Sequence, residues 1–456
     1  MLQALRPARW PALAVAAALA VAVAVAVAGR DGPADGFLVL TLLAAAAGGA
    51  VLVLAVEPAI TICAGLVLSV CSGHFGSLHS PIGVDRVVLV AGIGAVIVHE
   101  LRSPTPRLRV RGIDLLLAAI AAYATVSALY AGTLRSNEPF FALLDYLGII
   151  PFLLFWTAPA AFATPRQRRM LLTTLVGLGI YLGATAVLET VGPRALVWPR
   201  YILDPSVGLH ADRARGPFAE AAADGLAMVF CAIAAAVALA GRPRRWPWPA
   251  LAIGLCAVGV VFTLTRQIWL AATIAGAAAM LTERRLRPWL VPAAVVAGAG
   301  VLLIFSVVPG FESRADSRLN SRSPLWDRLN SNAATVRMIG ERPLLGFGWG
   351  TFPSRGLSYY RLAPDRPLTT VALPHNVFLA NGSELGVLAV LAWVAALAIA
   401  VGNGLRRRGP PELDRWRGGL VAVALAWLVV ANFTPMGYAF CHSLLWLWAG
   451  ICWSRT

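Results

Sequence analysis

The chain has 456 residues, 59% of them hydrophobic and 13% charged, with a formal net charge of +16. Soluble globular domains average about a quarter charged residues, so this composition excludes one and points to an integral membrane protein with many spans. Every basic side chain other than histidine is arginine, and the arginines lie scattered between apolar runs, which argues against a nucleic-acid partner.

The apolar runs, taken in order, are 10–28, 37–56, 58–72, 86–100, 113–131, 140–158, 170–191, 220–240, 249–265, 267–282, 289–308, 380–401, 418–434 and 440–453. They are about 15–22 residues long, the length of a helix crossing roughly 30 Å of hydrocarbon. The first run is long for a signal-peptide core and reads as an uncleaved span. Alternating barrel strands are not seen. The runs at 58–72 and 267–282 are short enough to be re-entrant. The expected fold is all-α: one polytopic membrane domain over residues 1–456, with about 12–14 transmembrane helices. An even number places both termini on one side.

Short-loop arginine bias sets the orientation. With Arg6 and Arg9 cytoplasmic, alternate loops carry Arg102, Arg107, Arg109 and Arg111, then Arg166, Arg168 and Arg169, then Arg242, Arg244 and Arg245, then Arg284, Arg285 and Arg287. The last such loop carries Arg406, Arg407, Arg408, Arg415 and Arg417. Both termini are therefore expected in the cytoplasm.

Two segments on the opposite side break the pattern. Residues 192–219 hold Arg194, Arg200, Arg213 and Arg215. Residues 309–379, a long and irregular extracytoplasmic loop, hold Arg314, Arg318, Arg322, Arg328, Arg337, Arg342, Arg355, Arg361 and Arg366. Long loops translocate regardless of charge, so the position is allowed. A guanidinium is a planar fork matched to phosphate oxygens, and a lipid diphosphate at the outer leaflet is the natural anion. Solvated surface charge, or contact with anionic lipid headgroups, is the plainer account of any single arginine.

Several short motifs stand out. Arg213-Ala-Arg-Gly-Pro-Phe218 precedes the run at 220–240. Arg266 interrupts apolar sequence in Thr263-Leu-Thr-Arg-Gln-Ile-Trp269. A charge at a span centre costs about 2.5–3.5 kcal/mol and less near an end, so Arg266 is either functional or an interface anchor. His375 and Asn376 lie where the long loop meets the run at 380–401. Histidine exchanges protons near neutral pH, although a lone loop histidine is more often bland than catalytic. His74 and His79 are the other candidates on the same side, while His99, His210 and His442 show no ligand spacing. The six cysteines lie in or beside apolar runs without metal-ligand spacing. The outer loops lack paired carboxylates, so a divalent metal is not expected there.

Arg322-Ser-Pro-Leu-Trp326, Pro343-Leu-Leu-Gly-Phe-Gly348, His375-Asn376 and Glu384-Leu-Gly386 together resemble the O-antigen ligase/polymerase family, bacterial polytopic membrane glycosyltransferases. Upstream, Arg213-Ala-Arg-Gly-Pro-Phe218 is similar to an Arg-x-x-Gly-x-Phe element of that family, and Thr265-Arg266 to its Ser/Thr-Arg element. After Phe218 the chain reads Ala219-Glu-Ala-Ala222 where an Asn-Pro-like turn is usual, which leaves open whether Arg213 or Arg215 is the functional one.

The resemblance implies a polyprenyl-diphosphate-linked glycan donor, a hydroxyl-bearing acceptor, no cofactor and no metal. It implies an active site on the extracytoplasmic face of the bacterial inner membrane. His375 is then the general base, and Arg213 or Arg215, Arg266 and Arg322 hold the diphosphate. Asn376 and Glu384 orient His375 or the acceptor, although Glu384 reads equally as a helix N-terminal charge. Ligase and repeat-unit polymerase share these motifs. A lipid-glycan transporter would explain the hydropathy but not the basic outer loop.

Overall fold

The computed structural model describes residues 56–72, 74, 83–241, 247–282, 287–308, 310, 312, 313, 315, 316, 323–361, 373–406 and 410–454. The expected spans at 10–28 and 37–56 lie outside these residues, except for position 56. Among the described residues every regular element is a helix.

The chain opens with α1 (Pro58–Leu68), α2 (Val84–Leu101) and α3 (Gly112–Tyr130). Next, α4 (Asn137–Ala142) runs through one π-helical turn (Leu143–Leu147) into α5 (Ile149–Ala161). Then come α6 (Pro165–Thr190), α7 (Ala221–Ala240), α8 (Trp248–Phe262), α9 (Arg266–Thr282) and α10 (Leu290–Val307). The long loop contributes α11 (Ser323–Glu341) and the single turn α12 (Phe352–Arg355). The chain closes with α13 (Val377–Leu385), α14 (Val387–Arg406), α15 (Glu412–Ala431) and α16 (Ala439–Cys452).

Among the described residues six helical stretches are long and apolar enough to cross a membrane: α3, α4 through α5, α6, α7, α10 and α14. Shorter apolar helices are Pro58–Cys71, Trp248–Phe262 and Ala439–Cys452. This is an all-α, multi-pass membrane protein. The core forms around α7 and α16. All of α16 is buried, as its sequence predicts by being apolar on every face. Its Trp446 packs edge-on against Phe152 and Phe155 of α5, and Trp448 lies 4.9 Å from Trp416 of α15. At the periphery, no residue of α10 is buried.

The start of α6 carries a capping box. Thr164 accepts a hydrogen bond from Gln167 N, Gln167 Oε1 accepts one from Thr164 N, and Pro165 supplies the first residue. At about 1.5 Å per residue this 26-residue helix spans about 39 Å, enough to connect both faces of a bilayer. The loops expected in the cytoplasm meet at its first turn. Arg168 reaches Glu412 of α15 at 3.3 Å, and Arg111 lies over the Trp453 ring at 4.6 Å.

Two expectations need correction. The run at 380–401 is not one helix: α13 ends at Gly386, whose φ of 84° and ψ of 164° let the chain turn before α14 begins. The loop at 309–379 is not irregular throughout, since α11 occupies 19 of its residues. Hydropathy does not separate α13 from α14 because apolar residues flank Gly386 on both sides, and it does not reveal α11 because that helix has one buried stripe and is otherwise polar.

Candidate active site

Four segments meet at the far end of α6 from Arg168. The first is the basic loop 192–219, a set of 3₁₀ turns at Arg194–Leu196, Arg200–Leu203 and Gly216–Phe218. The Glu189 carboxylate, at the end of α6, accepts from Arg215 N at 3.2 Å and Gly216 N at 3.0 Å. The Arg215 side chain turns inward and is 2% exposed. It donates to Ile202 O at 3.1 and 2.7 Å, to Val207 O at 2.5 Å and to Asp204 O at 2.5 Å. Its nitrogens are spent on the loop's own carbonyls, so this guanidinium shapes the loop. Arg213, two residues earlier, points the other way, and its Nη1 donates to Thr265 Oγ1 at 3.4 Å.

The second segment is the turn from α8 to α9. Thr263 and Thr265 cap it with hydroxyl bonds to Val260 O and Thr263 O, and Leu264 takes a positive φ of 46°. Arg266 is exposed as the first residue of α9. A helix N-terminus presents unsatisfied N–H groups and a partial positive charge, so Arg266 adds a full cation to an anion-favouring position. The loop joins this turn where Ala214 N donates to Phe262 O at 3.2 Å.

The third segment is α11. Asp327, Ser331, Ala334 and Met338 are buried at helical spacing. Arg328 stands at the edge of that stripe, and its Nη2 donates to Gln267 Oε1 at 2.9 Å. Its Nε is buried without a hydrogen-bond partner. Burial, and then the Arg266 cation, lower the Arg328 pKa from its ordinary value.

The fourth segment carries His375. Asn376 caps α13, its Oδ1 accepting from Phe378 N and Leu379 N at 3.0 Å each, while its Nδ2 donates to Asn432 Oδ1 at 3.1 Å. These bonds fix the backbone next to His375. Nδ1 of His375 is buried without a hydrogen-bond partner. Burial and then the Arg328 cation lower the His375 pKa from 6.5, while a bond with the Leu373 backbone and the Asp327 carboxylate act in the other direction. Arg328 is thus electrostatically coupled to both Arg266 and His375.

Behind His375, α13 is held by a strap from the long loop. The Glu384 carboxylate accepts from Gly350 N and Phe352 N, each at 2.9 Å. Phe347 N and Gly348 N donate to the Ser383 and Glu384 carbonyls at 2.9 Å. Gly346, at φ 66°, passes so close that a Cβ there would sit 2.4 Å from Glu384 O. Glu384 therefore ties the strap and does not bond to His375 or begin a helix, since it sits one residue before the end of α13. Trp349 anchors the strap to the neighbouring elements by donating from Nε1 to Pro139 O and from its backbone N to Ser127 Oγ.

Among the expected site residues, Arg266 and His375 interact electrostatically with Arg328, Arg213 bonds Thr265 next to Arg266, and Asn376 adjoins His375; Arg215 and Glu384 are committed to holding backbone. Arg322 lies outside the described residues. Arg328 was the residue that motif reading passed over. Its signal was periodicity: an Asp-Arg pair opening a polar-to-small stripe on a helix hidden in loop-like composition.

Together these features define a class: a multi-pass all-α membrane protein with several arginines and the His375 imidazole at one end of its bundle. Residues 250–394 match the family model described as O-antigen ligase. The matched stretch runs from α8 into the first turns of α14 and includes Arg266, Arg328 and His375. A comparison with curated proteins found no match.

Proposed function

We propose that this protein transfers a glycan from a polyprenyl-diphosphate donor to an acceptor hydroxyl at the extracytoplasmic face of a bacterial inner membrane. His375 removes the acceptor proton as the hydroxyl oxygen attacks the anomeric carbon. The bond from that carbon to the diphosphate oxygen breaks as the glycosidic bond forms, and polyprenyl diphosphate leaves with the electron pair. A single displacement inverts the anomeric centre. Arg213, Arg266 and Arg328 hold the diphosphate, aided by the N-terminus of α9.

The observation that carries this reading is Arg328. It is half-buried beside a second arginine, and its Nη2 donates to the neutral Gln267 amide. Like charges brought together out of water favour an anion between them. Removing one donor to developing charge typically costs about 10²–10³ in rate. Arg322 remains a proposed donor contact, Asn376 a positioning residue.

The test uses purified protein, lipid-linked glycan and a separate hydroxyl acceptor. His375→Ala should abolish product, and Arg328→Ala should slow it by about 10²-fold or more, with both variants folded and membrane-inserted. Wild-type rates from folded His375→Ala would remove the base from the scheme. Lengthened lipid-linked chains without added acceptor would reassign the same chemistry to a polymerase.

A further inference from the structure

A cavity of about 470 Å³ opens at the other end of the bundle, between the start of α6, the end of α7 and the start of α15. Arg168, Arg169 and Arg415 line it. Arg168 is already committed: it pairs with Glu412 at 3.3 Å and donates to Phe162 O and Ala163 O at 3.1 and 2.9 Å. Glu412, the carboxylate in the lining, is engaged by that pair. Arg169 and Arg415 are exposed at the mouth. Arg169 uses Nε on Pro165 O, and Arg415 forms no ion pair among the described residues. Arg415 folds back over the end of α7, with Nη1 only 3.1 Å from where a Cβ on Gly241 would stand.

The walls are apolar: Leu172, Val237, Ala238 and the Trp416 ring. Trp416 is 2% exposed and braced by Trp448, so this wall is rigid. Both α6 and α7 are among the helices long enough to cross a bilayer, and the cavity sits at their ends. Two exposed guanidinium groups at the mouth of an apolar recess at this depth match one chemistry: a phosphate oxyanion attached to hydrocarbon.

We propose that this cavity binds the headgroup of an anionic phospholipid, with Arg169 and Arg415 as the phosphate contacts. Arg168 and Glu412 set the position of the two helices that form the groove. The site is remote from His375, and the proposal is independent of the transfer reaction.

Native mass spectrometry of the full-length protein, titrated with dioleoyl phosphatidylglycerol or dioleoyl phosphatidylcholine, tests it. Wild type should retain the phosphatidylglycerol preferentially. The double variant Arg169→Ala/Arg415→Ala should lose about 30-fold in phosphatidylglycerol affinity, which is about 2 kcal/mol, with phosphatidylcholine binding unchanged. Arg168 is left intact because its loss would separate α6 from α15. Equal retention of the two lipids, or an unchanged affinity in the folded double variant, would overturn the proposal. Displacement of phosphatidylglycerol by millimolar inorganic phosphate would also overturn it, by assigning the cavity to a free anion.

Discussion

Arg213 and Arg215 are two positions apart and chemically identical, yet their surroundings give them different tasks. Removing the Arg215 side chain takes the donors from the Ile202, Asp204 and Val207 carbonyls, of which that of buried Ile202 loses two. Bonds to a charged group contribute about 1.5–3 kcal/mol each, so Arg215→Ala should destabilise the fold by about 3 kcal/mol or more. Arg213→Ala should leave thermal stability within about 1 kcal/mol of wild type and reduce transfer instead. Unfolding temperature and transfer rate, measured on both variants, separate the two roles. The imidazole makes a second prediction. Because His375 titrates below 6.5, a base at that position stays neutral through pH 7 and loses activity only on the acid side. Arg328→Gln removes a neighbouring cation that lowers this pKa and should move the acid limb of the rate profile upward, whatever its effect on the maximum rate. Asp327→Asn removes a carboxylate that raises it and should move the limb downward. An acid limb that stays in place in both variants would show that His375 does not govern the rate.

Among the elements, α13 decides whether the imidazole is presented at all. It is nine residues long, too short to hold itself in water, and depends on its Asn376 cap and on the strap tied by Glu384. Gly386 ends it in a conformation open essentially to glycine, and a Cβ there would meet Leu344 O at 2.0 Å. Gly386→Ala should therefore cost about 2 kcal/mol or more and lower transfer through displacement of His375. Gly340, exposed in α11 with open space where a Cβ would go, is the control, and Gly340→Ala should stabilise by roughly 0.5–1 kcal/mol. Detergent-solubilised unfolding curves for the two variants check both signs.

At the scale of the molecule, two chemically different ends face opposite ways along α6. One collects Arg213, Arg266, Arg328 and His375; the other collects Arg111, Arg168, Arg415 and Arg417. The loop-charge rule assigns the second end to the cytoplasm. In a Cys71→Ser background, Ser358→Cys should react with an impermeant maleimide in intact cells, and Thr105→Cys only after permeabilisation. The reverse pattern would turn the whole assignment over. Cys71 is removed because it is only partly buried, whereas Cys63, Cys231, Cys256, Cys441 and Cys452 are buried.

Hydropathy was enough to read the membrane class and nearly every long helix, because hydrocarbon demands continuous apolar length and a closed backbone hydrogen-bond set. Motif order by itself groups Arg213 or Arg215 with Arg266, Arg322 and His375. What it could not supply was the direction in which a side chain points. Arg215 and Glu384 carry the right charge at the right spacing, but folding turns both onto backbone groups. Arg328 entered the cluster because α11 packs its Asp327–Met338 stripe inward, a fact of tertiary contact. Charge type is written in the chain, whereas which charges are left over for a ligand depends on which of them the fold has already consumed.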